Sequence, residues 1–409
     1  MFISYRLSVV LIILFSVLLT KANAFLDPNN KTDNFFISDR NDSLKTQEEQ
    51  IDSFLMQLHL DGLFNGTILV AHGDKIVLEK SYGNADLSQG VVLNNEIQYQ
   101  LASVSKPITA AAITILEQRG ELSIDDKIGK YLPELAFYGN VRIKHLLHHT
   151  SGLQEYIYRF AKIWQADTYM GNNDLLELYA KNKFKLQFSP GSKFLYTNTN
   201  YAFLASIVER ITEQDFDAFV KENIFDHLGM CNTLVFNPRK DTISCRKINS
   251  YYWDGKEHKT VSSDYRNGIM GDKGVFSTAK DLYLFMQGFH AGLLFDTETK
   301  KQTLSKFVLN NGSEVEYARG WRIRNYDGIP VFLHYGYWNS FRTGLLHFPE
   351  SKTTFVILNN ITGYGKGKNI NNRDLIIRQL MRISLPRKHQ EEHIQDDHET
   401  ENGVLEGNN

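Results

Sequence analysis

The chain has 409 residues, 42% of them hydrophobic, and its 45 Lys and Arg nearly balance 47 Asp and Glu. That supplies one large core or two lobes and excludes a disordered or fibrous protein. A formal charge of −2 without a basic cluster gives nucleic acid no footprint, and two cysteines, Cys231 and Cys245, make neither a disulfide scaffold nor a zinc motif.

Residues 1–24 carry a basic residue, an apolar run from Leu7 to Leu19 and a small-x-small site at Ala22-Asn23-Ala24, the pattern of a secretory signal peptide. The run is shorter than the about 20 apolar residues of a membrane anchor. The mature chain is therefore expected to be secreted or periplasmic with no stable membrane span, a retained anchor being the alternative. In that oxidising setting Cys231 and Cys245 could pair. Residues 25–50 read as a polar linker and 51–386 as the folded domain. Residues 387–409 read as a disordered acidic tail, with seven acids and no Lys or Arg from His389 onward.

Within the domain, "GTILVAHGDKIVLEKSYG" (66–83) predicts a hairpin turning at His72-Gly73-Asp74. An apolar helix follows from Ser103 to about Gly120, a residue suited to a helix C-terminus. From about 125 to 300 the apolar spacing is mainly helical. Strand periodicity then returns in "PVFLHYGYW" and "RTGLLHFPESKTTFVILNN", read as three strands with the last two joined at residues 349–352, and "RDLIIRQLMRISL" closes as a helix. The fold class is α+β, an antiparallel sheet built from the N- and C-terminal segments, flanked by helices, with a mainly helical lobe inserted between them.

Three short motifs carry candidate chemistry. Ser103 and Lys106 stand three residues apart, which on a helix brings a hydroxyl beside an amine that could deprotonate it. Ser244-x-x-Lys247 and Ser277-x-x-Lys280 share the spacing, but only Ser103 opens a strongly apolar segment, and Pro107 suits a first helical turn. Tyr196-x-Asn198 lies after Pro190-Gly191 and just before an amphipathic helix, where a phenol and an amide can face a cleft. His334-x-Gly336 lies on a strand, where glycine marks a close approach of backbone or ligand.

In that order and at those separations, the three motifs resemble the serine β-lactamase and penicillin-binding-protein superfamily, in its class C β-lactamase, D-alanyl-D-alanine carboxypeptidase and esterase branch. "IKHLLHHTSGLQ", "IFDHLGMCNT" and "GDKGVFSTAKDLYLF" resemble it too. The resemblance implies Ser103 as acylated nucleophile, Lys106 and Tyr196 sharing proton transfer, and Asn198 holding the substrate amide. It also implies backbone N–H groups of Ser103 and Tyr337 as oxyanion hole, with no cofactor and no metal. His334 stands where β-lactamases of that branch have lysine, so Arg342 is expected as the substitute carboxylate clamp. The expected substrate is a small ester, or an amide or peptide bearing D-amino acids, from the cell envelope. The alternatives are a β-lactamase and a silent binding or assembly protein.

Overall fold

The computed structural model describes residues 45–159, 164, 168–237, 248–362 and 372–385. The expected signal peptide, most of the linker, the acidic tail, Cys245 and the Ser244-x-x-Lys247 decoy lie outside them.

Two distant segments with period-2 apolar patterns pair into one sheet. The N-terminal segment gives α1 (Gln47–Leu60), β1 (Gly66–His72) and β2 (Lys75–Tyr82), with Gly73-Asp74 between the strands. The C-terminal segment gives β3 (Arg322–Tyr326), β4 (Ile329–Trp338), β5 (Phe341–Phe348) and β6 (Thr353–Asn359). The strand order is β3-β4-β5-β6-β1-β2, every pair antiparallel. This is the architecture expected from the sequence. Strand β3 was not foreseen, although the Asp327-Gly328 turn after it is a strong hairpin signal.

Alternation assigns each side chain to a face. Ile68, Val70, Leu333, Leu346, Phe355 and Ile357 pack with α1 and the closing helix α6 (Asn372–Ser384) in one cluster. Leu69, Ala71, Leu345, Val356 and Leu358 pack into the helical lobe in another. A sheet buried on both faces tolerates no one-residue slip, because a slip would exchange the two sets.

The lobe is organised around α2 (Ser105–Gln118), whose residues from Ser105 to Leu116 are all buried. Pro107 sits in its first turn, where no intrahelical N–H is missed, and Gly120, at φ +74°, follows its C-terminus. Two further helices concern the site, α4 (Asn198–Thr212), packed on α2 and backed by α3 (Asn172–Asn182), and α5 (Ala279–Ala291), packed on β1 and β6. The lobe is less purely helical than its periodicity suggests, since short strands at 234–235, 251–253, 258–260 and 275–277 interrupt it. No helix among the described residues is long and apolar enough to cross a membrane.

Burial holds several imidazoles neutral. It pushes His145 and His290 down to about 4, and His148 and His347 down to about 3, from an ordinary 6.5. These groups bind protons more tightly in the unfolded chain, so their contribution is complete above pH 6.5 and is lost as pH falls toward 3 to 4. Buried carboxyls raised by desolvation, such as Glu155 and Asp281, offset part of it. The thermal midpoint is expected to drop by several degrees between pH 7.5 and pH 4.5, and His347→Leu to flatten the slope. Scanning calorimetry across that range checks both; a flat wild-type profile contradicts the assignment.

Candidate active site

Ser103 lies on a single 3₁₀ turn, Ala102–Val104, which feeds directly into α2. Helix residues start at Ser105, so the serine sits just ahead of the first helical turn, where the partial positive charge of the N-terminus favours an oxyanion. Ala102 holds φ +51°, a left-handed conformation that costs about 1 kcal/mol or more in a residue with a side chain. The turn packs onto β4, where the Cβ of any residue at Gly336 would overlap the Leu101 carbonyl and the Thr343 hydroxyl. Gly336 therefore permits the close approach expected of a glycine in a strand.

Behind the serine, the Lys106 side chain is wholly buried. Its Nζ reaches Ser103 Oγ at 3.0 Å, Asn198 Oδ1 at 2.7 Å and the Asp272 carbonyl at 2.8 Å. Burial brings its pKa down to about 8 from 10.5; Asp272 and Glu155 pull it back up, and Arg322 pushes it down. At pH 7.5 about a quarter of such amines are neutral, against about one in a thousand at the ordinary value. A neutral Lys106 keeps two N–H donors on Asn198 and Asp272 and turns its lone pair to the serine hydroxyl.

Asn198 opens α4, and its orientation is fixed from both ends. Its backbone N–H and its Nδ2 donate to one oxygen of Glu155 at 2.7 and 3.0 Å, leaving Oδ1 for the lysine. The second Glu155 oxygen accepts from the Ile157 N–H at 3.1 Å. One Nδ2 hydrogen of Asn198 remains to donate to a substrate carbonyl.

The Tyr196 ring lies 5.0 Å from Lys106 Nζ and stacks 4.2 Å from the buried His149 ring. His149 Nδ1 accepts the Thr197 N–H at 3.2 Å, which ties the Tyr-x-Asn segment down. Burial raises the Tyr196 hydroxyl well above its ordinary pKa while the Ser103 hydroxyl and Arg322 oppose the shift, so at neutral pH it carries its proton. On the other side the Arg322 guanidinium stands 4.9 Å from the Tyr196 ring. Among the described residues no carboxylate hydrogen-bonds or ion-pairs with it. These groups open on a cleft of about 1000 Å³ whose wall includes Ser103, Tyr196, Asn198, Glu155, Arg322 and Gly336.

The three motifs thus converge, with two corrections. His334, expected at the substrate face, is buried and lies beneath the cleft wall. Its Nδ1–H donates to the Tyr335 carbonyl at 2.9 Å, and its Nε2 accepts the Tyr317 hydroxyl at 3.2 Å. Arg342 is on the wrong face. Asn339 and Ser340, both at positive φ, make a two-residue turn that pairs Gly336 with Thr343 and Tyr337 with Arg342. Thr343 faces the serine, donating to the Leu101 carbonyl at 2.6 Å, so Arg342 points away and stacks 4.4 Å from the Tyr337 ring. The Tyr337 side chain is outward too, which leaves its backbone as the part that can face the cleft. Glu155, Asp272, Lys273 and Arg322 were missed. The Ser277-x-x-Lys280 decoy fails, because Ser277 is buried against Thr233 and Lys280 is exposed. Among the described residues no group of three His, Cys, Asp or Glu is placed to hold a metal ion.

The β-lactamase family model matches residues 55–378. A penicillin-binding protein of Bacillus subtilis (strain 168) is 32% identical over 311 residues, 73% of this chain and 68% of the relative. A putative D-alanyl-D-alanine carboxypeptidase of Escherichia coli (strain K12) is 28% identical over 369 residues, 76% of this chain and 81% of the relative. The crystal structure of a penicillin-binding protein from Bacillus halodurans superposes with a TM-score of 0.65 at 25% identity, covering 78% of this chain and 95% of that one.

The contact at Gly336 yields a direct test. Gly336→Ala is expected to slow labelling of the protein by a fluorophosphonate at least about tenfold, by forcing the Ser103 turn off β4. Gly344→Ala on β5, where an added Cβ meets only ordinary contacts, is the control. Equal labelling rates for the two variants would remove the steric argument.

Proposed function

The chain belongs to the β-lactamase family of serine hydrolases, and from that premise we propose that it is an exported enzyme forming an acyl-enzyme on Ser103, acting on amides or peptides bearing D-amino acids and ending in a free carboxylate. The observation that carries the reading is the Lys106 amine, buried and held on two carbonyl oxygens with its third direction on Ser103 Oγ.

Acylation then runs in a defined order. Neutral Lys106 takes the Ser103 hydroxyl proton as Oγ attacks the scissile carbonyl carbon, and the oxyanion is held by the backbone N–H groups of Ser103 and Tyr337. As the tetrahedral adduct collapses, the Tyr196 hydroxyl protonates the leaving amine and is reprotonated by Lys106, which returns the base to its neutral form. Water attacks the ester by the reverse relay and releases Ser103. Asn198 donates its remaining Nδ2 hydrogen to the carbonyl of the acyl residue. Arg322, with no carboxylate partner among the described residues, stands beside the leaving group and takes the clamp role first assigned to Arg342.

That placement alters the substrate expectation. A chain with only His334 at the clamp position would disfavour every carboxylate-bearing substrate, whereas Arg322 supplies the charge from a neighbouring strand. The peptide ending in D-alanine is favoured over the neutral ester for this reason. The alternative, a β-lactamase, shares the need for a carboxylate partner and is separated by rate.

Two outcomes are expected. Ser103→Ala abolishes the covalent adduct seen by mass spectrometry with a D-alanyl-D-alanine peptide or a penicillin, while losing about 1 to 3 kcal/mol of stability, the value of its hydrogen bond to Lys106. Retained turnover in that variant would end the reading. In Arg322→Met, the ratio of kcat/KM for the peptide to that for a p-nitrophenyl ester should fall roughly 10- to 150-fold, the value of a charge-assisted hydrogen bond. An unchanged ratio would exclude Arg322 as the clamp.

A further inference from the structure

We propose that Lys273 forms a subsite for a carboxylate carried on the acyl half of the substrate, the half that stays on Ser103; this deepens the reading above and rests on it. Lys273 is only 3% exposed, yet it belongs to the cleft wall. A buried ammonium carries three donors and needs acceptors for them. It has one good acceptor, the Tyr156 hydroxyl oxygen. Tyr156 in turn donates to Asp272 at 2.7 Å, which leaves the Asp272 oxygens 3.4 and 3.5 Å from Lys273 Nζ, beyond a well-formed hydrogen bond.

The two charges still form a buried ion pair at 3.4 Å, without a well-formed hydrogen bond between them. Asp272 is wholly buried and is not part of the cleft wall, whereas Lys273 is part of it and has donors to spare. The Trp338 ring lies 5.1 Å from Lys273 Nζ, and its Nε1–H donates to Asn267 at 2.7 Å, so the indole is held in place beside the amine. The neighbouring charges do not compete for the site. Arg266, 5.0 Å from the same ring, is tied through two nitrogens to Asp264. The Glu155 carboxylate is turned to N–H groups of Asn198 and Ile157. Arg322 lies beside Tyr196, against β4. An acyl group with a side-chain or terminal carboxylate would thus complete the coordination of Lys273 while Arg322 holds the leaving group.

The test uses two esters with the same neutral leaving group, glutaryl and pentanoyl p-nitrophenyl esters, so that Arg322 is not engaged. The wild-type chain should prefer the glutaryl ester at least about tenfold in kcat/KM, mainly through KM. Lys273→Met should bring the ratio to about 1. Lys273→Gln, which can still donate to Tyr156, should do the same if the methionine variant does not fold, and Lys280→Met on the exposed face of α5 should leave it unchanged. A wild-type ratio near 1, or a preference that survives both Lys273 variants, overturns the subsite. Turnover of neither ester by the wild type overturns the acyl-enzyme reading itself.

Discussion

Everything at this site depends on where one amine is buried. Taking Lys106 out of water disfavours its charged form, and the surrounding acceptors decide how far. Two of them, Asn198 Oδ1 and the Asp272 carbonyl, are neutral oxygens that serve an amine as well as an ammonium. The two nearby carboxylates act at a distance, restraining the shift so that the amine remains partly charged at neutral pH. A lysine paired directly with a carboxylate would stay protonated and useless as a base. A lysine with no acceptors would be too costly to bury.

That arrangement is assembled from distant parts of the chain. Ser103 and Lys106 come from the turn into α2, Asn198 from the start of α4, Asp272 from the segment before α5, and Arg322 from the edge strand. The sheet fixes their separation, because the Ser103 turn rests on β4 at Gly336 and on β5 through the Thr343 hydroxyl. Side chains on both faces of the sheet are buried, so β4 cannot shift without disturbing two cores. The left-handed Ala102 is the local strain that this rigidity supports.

What could be read from the residues alone follows the same logic. The sheet of two termini, the buried helix and the three motifs were legible because each is a local pattern: alternation, an apolar run broken by Pro107 in its first turn, a glycine in a strand. Arg342 was expected at the cleft for want of register. Counting across the Asn339-Ser340 turn pairs Gly336 with Thr343, and parity then sends Arg342 to the far face. Arg322 was overlooked because β3 is short and polar, although its Asp-Gly turn was available as a signal. Glu155, Asp272 and Lys273 leave no local pattern. Their roles arise only when α2, α4 and the segment before α5 meet, and nothing in spacing marks a buried charge.

The protonation state of Lys106 decides whether it can activate Ser103, and its titration is the most direct test. In protein labelled with 13C at lysine Cε, with the resonance assigned through Lys106→Arg, the chemical shift should titrate with a midpoint near 8. A midpoint at the ordinary value of about 10.5 would mean a charged lysine at neutral pH, and would contradict the assignment of Lys106 as the base that activates Ser103.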